Sequence, residues 1–150
     1  MAFDIVRFFH IAAAIVAVGT NITYAVWLVR AGGNPGNTAF ALNGIRFLDN
    51  RLANPSYGVL LVTGILMVFL MPYPIITFWI DAALILYAAI AVLGVSQYSP
   101  LLKQQIRLAE GGDVISETYQ RLARRGQIIG QVLSLLVVVI LFLMVFKPNP

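Results

Sequence analysis

The sequence predicts an all-α integral membrane protein, a bundle of four transmembrane helices in one domain. Three stretches, 8–29, 52–71 and 126–146, contain no Lys, Arg, Asp or Glu, and a fourth, 74–97, contains only Asp81. A hydrocarbon core of about 30 Å takes roughly 20 apolar residues per helix, so each stretch is long enough to cross it. The composition agrees, because 60% of the 150 residues are hydrophobic and only 11% are charged.

Local signals place the first two elements. The first span should cover about 5–30, which is too long for the apolar core of a signal peptide. An interfacial helix is expected at about 38–52, where apolar and polar residues alternate at helical spacing. The second span, about 53–71, should begin with Asn54 as N-cap and Pro55 at the first helical position, where a missing N–H costs nothing.

The second half of the chain carries similar signals. Pro72 and Pro74 leave so short a connection that the third span, about 74–97, should be the antiparallel neighbour of the second. Residues 99–125 should form a helical hairpin that breaks at Gly111-Gly112. Asp113 is positioned to cap its second helix, and Glu117 precedes Arg121 by one helical turn. The fourth span is predicted at about 126–146. The apolar face of the hairpin should cover apolar surface or dock a partner.

The distribution of basic residues predicts the orientation. Cytoplasmic connections carry an excess of Lys and Arg, and eight of the ten here lie after the first and third spans. Both termini are therefore expected outside, in a bacterial cytoplasmic membrane. The same face should attract anionic lipid headgroups, whereas nucleic acid is not an expected partner. The interfacial basic residues are Arg46, Arg51, Arg121, Arg124 and Arg125.

The two halves of the chain show weak internal similarity. At a shift of about 75 residues, 13–19 aligns with 88–94, and Arg46 aligns with Arg121. Duplication of a helical hairpin would give a parallel repeat about an axis along the membrane normal. Chance matching within a small apolar alphabet is the alternative interpretation.

Polar residues inside the spans are the candidate site residues, because a charge in hydrocarbon costs about 2.5 kcal/mol or more. Asp81 should lie roughly 9 Å below residues 74–75, at the depth of Arg7 and His10. Arg7, His10 and Asp81 could therefore form a paired intramembrane cluster. In the simpler alternative, Asp81 forms an ion pair or bonds a hydroxyl, and His10 bonds a backbone carbonyl. No metal site is predicted, since one His and one Asp are too few, and no catalytic residue is assigned.

Two further interpretations concern single polar groups. Asn21, Tyr24 and Gln131, with Ser134, could line a small polar pocket in the inner leaflet, and interhelical hydrogen bonding explains them equally well. His10 could instead ligate haem b, which requires a neutral imidazole in an apolar interhelical space. Because His10 is the only histidine, a second axial ligand is not evident, and the absence of cysteine excludes thiolate ligands and disulfides.

Several short motifs carry a resemblance to a poorly characterised family of small four-helix bacterial membrane proteins. They are His10-Ile11, Gly19, Asp49-Asn50-Arg51-Leu52 followed by Pro55, Gly64, and Lys147-Pro148. That family is itself distantly similar to the HemJ-type protoporphyrinogen IX oxidases and to copper-resistance D proteins. The resemblance implies that His10 occupies the position of a haem-ligating histidine. It departs in the third helix, where the HemJ group has a lysine shortly after a tryptophan, and Trp79 here is followed by Ile80, Asp81 and Ala82.

Two main functional classes follow. The first is a non-catalytic membrane module whose partners are the lipid bilayer and either other membrane subunits or further copies of itself. The second is a haem b-dependent oxidoreductase of the HemJ kind, with Arg46, Arg51 or Asp81 contacting propionates or substrate. Handling of protons or metal ions through Arg7, His10 and Asp81 is a third hypothesis.

Overall fold

Four long helices make up the computed structural model, which describes residues 1–71 and 77–148. Within these residues there is no strand. Each helix is long and apolar enough to cross a membrane, as the sequence predicted. The helices are α1 (Ala2–Ala31), α2 (Pro35–Leu70), α3 (Phe78–Glu110) and α4 (Glu117–Phe146).

The second and third helices are composite, because each contains one π-helical turn. In α2 the order is α-helix Pro35–Leu48, π-helix Asp49–Ala53 and α-helix Asn54–Leu70. In α3 it is α-helix Phe78–Leu93, π-helix Gly94–Tyr98 and α-helix Ser99–Glu110. The N–H groups of Asn54 and Ser99 bond the carbonyls of Asp49 and Gly94, five residues back.

A proline explains each π turn. One residue separates each π turn from the proline that follows it, Pro55 or Pro100. Proline lacks an N–H, and its ring clashes with the carbonyl four residues earlier. A wider turn at that point lets the helix continue instead of breaking.

This continuity corrects the predicted start of the second span. Asn54 is helical and does not cap, since the helix already runs from Pro35. The interfacial helix predicted at 38–52 and the second span are thus one helix. In the same way, the third span continues without interruption into the first arm of the predicted hairpin.

The hairpin between α3 and α4 turns at Gly111-Gly112, as expected. Gly112 has φ +77°, a conformation that glycine adopts at little cost. The predicted cap at Asp113 is wrong, because α4 begins later. Ser116 caps it instead and accepts a hydrogen bond of 3.1 Å from the Tyr119 N–H. The pair of Glu117 and Arg121 forms as predicted.

The chain groups into two compact units, which are described separately below. The first comprises residues 1–30 and 43–75, and the second comprises residues 31–42 and 76–150. The expectation of a single membrane domain stays a prediction. The parallel repeat of two helical hairpins also stays a prediction.

In the second unit, α3 and α4 pack antiparallel along most of their length. At one end, the Lys147 Nζ lies 5.4 Å from the centroid of the Trp79 ring. Near the other end, Arg125 donates a hydrogen bond of 2.8 Å to Gln97. Residues Leu101, Leu102, Ile106 and Tyr119 are buried, so much of the predicted apolar face of the hairpin is covered within the chain.

The fourth helix ends at the residue where the sequence placed the end of the fourth span. α4 ends at Phe146, and Lys147 adopts a left-handed conformation with its N–H bonded to the Leu143 carbonyl. The predicted connection through Pro72 and Pro74, and the predicted start of the third span at residue 74, lie outside the described residues. The described part of α3 begins at Phe78, after an extended Thr77.

Candidate functional site

Three pairs of polar side chains connect α1 to α2 in the first unit. His10 Nδ1 lies 2.8 Å from Thr63 Oγ1, the Asn21 amide donates to the Tyr57 hydroxyl, and the Tyr24 hydroxyl donates to Asp49 Oδ1 at 3.1 Å. Later residues of α1 pair with earlier residues of α2, so the two helices are antiparallel. We call these three pairs the polar ladder.

The direction of the Thr63 hydroxyl determines which ring nitrogen of His10 carries a proton. A threonine hydroxyl has one hydrogen. Thr63 donates it to the carbonyl of Val59, in its own helix, at 2.6 Å. With the hydroxyl hydrogen assigned to Val59, Thr63 Oγ1 accepts at His10 and the ring proton lies on Nδ1, whereas a hydroxyl that donates to His10 makes Nδ1 the acceptor. In the first case, Nε2 of the neutral imidazole carries a free lone pair.

Gly64 lies beside the same imidazole. A Cβ added at Gly64 would be 3.4 Å from His10 Cε1, so the absence of a side chain there allows the ring to approach α2 closely. The end of the polar ladder nearest the N-terminus of α1 is thus built from His10, Thr63 and Gly64.

Asp49 forms the opposite end of the polar ladder, at the π turn of α2. Its carboxylate accepts from the Tyr24 hydroxyl on one oxygen and from the Asn54 amide on the other, at 3.1 and 3.5 Å. Asn54 thus bonds Asp49 with the side chain that was predicted to cap a helix. Three residues after Tyr24 in α1, the Trp27 ring packs against Gly44 of α2, where an added Cβ would lie 3.5 Å from two ring carbons.

The structure does not test the predicted cluster of Arg7, His10 and Asp81. Arg7 and His10 belong to the first unit and Asp81 belongs to the second, so the cluster stays a prediction. The described structure instead gives His10 a partner in Thr63. Asp81 lies in the first turn of α3, about 4.5 Å along the axis from Phe78. A carboxylate at that place is stabilised by the helix dipole.

The predicted inner polar pocket is divided between the units in the same way. Asn21 and Tyr24 bond partners in α2, which agrees with the alternative that these groups serve interhelical hydrogen bonding. Gln131 is exposed on α4 in the second unit. A shared pocket of these three residues stays a prediction.

A basic groove lies on the second unit, where the hairpin meets the fourth span. It is open, has a volume of about 460 Å³ and is lined by Gln97, Arg121, Arg124, Arg125, Ile128 and Ile129. We call it the arginine groove. It contains three of the five interfacial basic residues identified from the sequence. The other two, Arg46 and Arg51, are exposed on α2.

The sequence did not identify the partners in α2 or the role of Gln97. For Thr63 a signal was present, because it is the only polar side chain between Val59 and Met71. For Gln97 there was none, since its bond to Arg125 depends on how α3 packs on α4. Across residues 1–71 and 77–148, no group of three His, Cys, Asp or Glu residues is placed to hold a metal ion.

Comparison with known proteins gives one match. A family model described as a predicted integral membrane protein matches residues 4–148, which is nearly the whole chain. No curated protein and no solved structure matches it.

Proposed function

The chain belongs to the DUF2269 family of predicted integral membrane proteins, and we propose that it is a non-catalytic helix-bundle module that acts by assembly. Its partners would be other subunits of a larger membrane complex or further copies of itself. The charge of its connections favours the bacterial cytoplasmic membrane. The family match confirms the expected membership of a poorly characterised membrane family, whereas similarity to the HemJ-type oxidases stays a prediction.

The polar ladder carries this proposal. A catalytic site in a membrane needs polar groups that are free to meet a substrate. In the first unit, His10, Asn21 and Tyr24 are each bonded to a residue of α2. These bonds fix the register of two helices in hydrocarbon, where interhelical hydrogen bonds replace contact with water. The three pairs of the polar ladder therefore hold helices together, which supports a role in assembly.

The uncovered faces of the spans support a role in association. Only 6% of the most apolar 18-residue window of α4 and 11% of that of α1 is buried within the chain. At Gly19, Gly58 and Gly130, an added Cβ would meet no described atom within 4 Å. Glycines on such faces allow other helices to approach closely.

The test is the mass of the complex extracted from native membranes in polymer nanodiscs. We expect particles of defined stoichiometry that contain more protein than one 16.4 kDa chain. Gly58→Leu should reduce the share of these particles, whereas Val59→Leu, at the adjacent exposed position, should not. A homogeneous single chain in the membrane extract would contradict the proposal.

A second candidate function, haem binding at His10, is favoured by the hydrogen bond to Thr63. Metal-ligating histidines usually donate their other ring N–H to a protein acceptor. In the tautomer in which His10 Nδ1 donates to Thr63, Nε2 carries the lone pair that would bind the iron. The donor chemistry fits one axial position. A bound haem would supply electron-transfer or oxygen chemistry, and His10 and Thr63 would hold and orient it.

Visible spectra of the purified protein before and after reduction test this second function. If it is correct, protein from haem-replete cells has a Soret band that His10→Ala abolishes. Thr63→Val should shift or weaken the band, and Thr20→Val, which removes a hydroxyl bonded only within α1, should not. A colourless wild-type preparation rules haem binding out.

A further inference from the structure

The arginine groove is lined by three positively charged side chains and by two apolar ones, Ile128 and Ile129. Three guanidinium groups line it, and no acidic residue is among its lining residues. The nearest acid in sequence, Glu117, is paired with Arg121. The groove therefore presents an excess of positive charge to a ligand, and its electrostatics select an anion.

The three arginines differ in their bonds. Arg121 is held by Glu117, and Arg125 is held by Gln97 at 2.8 Å. These solvent-exposed contacts orient two of the three guanidiniums that line the groove. Arg124 makes no hydrogen bond or ion pair with another described residue, so its donors are available to an anion.

The groove lies at the boundary between the charged hairpin and the apolar span. The charge-free stretch of α4 starts at Gly126, directly after Arg125. Ile128 and Ile129 continue the lining about 4.5–6 Å further along the helix axis. An occupant that fits both parts has a phosphate group at the arginines and a hydrocarbon chain along the isoleucines.

We propose that the arginine groove binds the headgroup of an anionic phospholipid, with the acyl chain lying against Ile128 and Ile129. Arginine is suited to this role because its fork of N–H donors matches phosphate oxygens. Free phosphate shares the anionic chemistry, but it would leave the apolar wall of the groove uncovered. This inference goes beyond the proposed assembly function and stands independently of it.

The experiment titrates the detergent-solubilised full chain with phosphatidylglycerol or phosphatidylcholine and counts bound lipids by native mass spectrometry. The groove variant is Arg124→Gln with Arg125→Gln. The matched control is Lys103→Gln with Arg107→Gln, which removes the same charge from the same hairpin outside the groove. Inorganic phosphate in large excess serves as the competitor that separates a free anion from a lipid.

We expect wild-type protein to bind phosphatidylglycerol at least about tenfold more tightly than phosphatidylcholine. The groove variant should lose about tenfold or more of this affinity, and the control variant less than about twofold. Arg124→Gln alone removes no bond to a described residue, so it should keep the fold and still weaken binding several-fold.

Two results would overturn the proposal. Equal losses in the groove and control variants would mean diffuse attraction to the hairpin. Displacement of phosphatidylglycerol by inorganic phosphate, with the same dependence on Arg124, would identify the ligand as a free anion.

Discussion

Thr63 gives the only histidine of the chain a partner inside the first unit. Its hydroxyl donates within α2 and accepts across to α1, so a single side chain serves both helices. Because water is absent from the hydrocarbon core, a ring N–H located there needs an acceptor from the protein. Interhelical hydrogen bonds in membranes contribute on average about 0.6 kcal/mol and at most about 1.7 kcal/mol.

Thr63→Val should therefore lower the free energy of unfolding by about 1 kcal/mol, because it keeps the shape and removes the acceptor. Reversible unfolding in mixed micelles, followed by circular dichroism, measures the change. Thr20→Val is the control, since the buried Thr20 hydroxyl bonds only the Val16 carbonyl of its own helix, at 2.7 Å. A loss that is no larger for Thr63→Val than for Thr20→Val would show that the contact with His10 does not stabilise the protein.

Gly126 has a packing role that the sequence did not reveal. A Cβ added there would lie 2.9 Å from Leu101 Cδ2 and 3.3 Å from Gln105 Nε2, so side chains of the hairpin arm approach α4 closely at this point. The buried Leu101 and Gln105 occupy the space that a side chain would need.

We expect Gly126→Leu to destabilise the second unit by about 1–3 kcal/mol through overpacking. Gly130→Leu, one turn further along α4, should be neutral or stabilising, because an added Cβ would meet no described atom within 4 Å and leucine favours the helix. Thermal unfolding in detergent compares the two variants. Similar melting temperatures for both would contradict the close approach of Leu101 to α4.

At the scale of the helix, the π turn of α2 sets the rotation between two parts of the polar ladder. Tyr57 and Thr63 lie after the turn, and Asp49 lies at its start. The extra residue of a π turn rotates the preceding segment by about 100° relative to a regular helix. Asp49 can therefore face Tyr24 only if the turn is present.

Pro55→Ala should allow α2 to become regular and turn Asp49 away from α1. The chain has no cysteine, so pairs can be introduced without background. A bifunctional thiol reagent should link Tyr24→Cys to Asp49→Cys, and Pro55→Ala should reduce the yield. The control pair is Asn21→Cys with Tyr57→Cys, located after the turn, whose yield should not change. If both pairs behave alike, proline does not maintain the π turn.

These helices also show which features local sequence can predict. The four spans, the turn at Gly111-Gly112 and the pair of Glu117 and Arg121 depend on neighbouring residues, and the structure confirms them. Pro55 gave the wrong boundary because Asn-Pro is compatible with either a helix start or a π turn. The helix continues through this point because residues 35–48 are themselves helical, and the local Asn-Pro pattern does not contain that information.

For the molecule as a whole, composition was sufficient for the fold class and insufficient for the site. Long apolar runs predict spans irrespective of which helices pack together. The partners of His10 and Arg125 depend on which helices pack together and in which register. The periodicity of the residues determines neither. The sequence therefore identified His10, Asn21, Tyr24 and the arginines as notable, but it did not identify Thr63, Tyr57 or Gln97 as the residues they contact.

The orientation of the whole molecule depends on the imbalance of Lys and Arg between its two sides. Both termini should face outwards, and the hairpin that carries the arginine groove should face the cytoplasm. Ile115 in the hairpin turn is 85% exposed, and Ala2 lies at the exposed N-terminus. A cysteine at either position would be the only thiol of the chain and would react readily with a maleimide.

In intact cells, a membrane-impermeant maleimide should label Ala2→Cys and leave Ile115→Cys unlabelled. Permeabilisation should make Ile115→Cys reactive, because the membrane alone protects it. Labelling of Ile115→Cys and protection of Ala2→Cys in intact cells would place the arginines outside. The arginine groove would then face the opposite leaflet, and its anionic lipid would have to come from there.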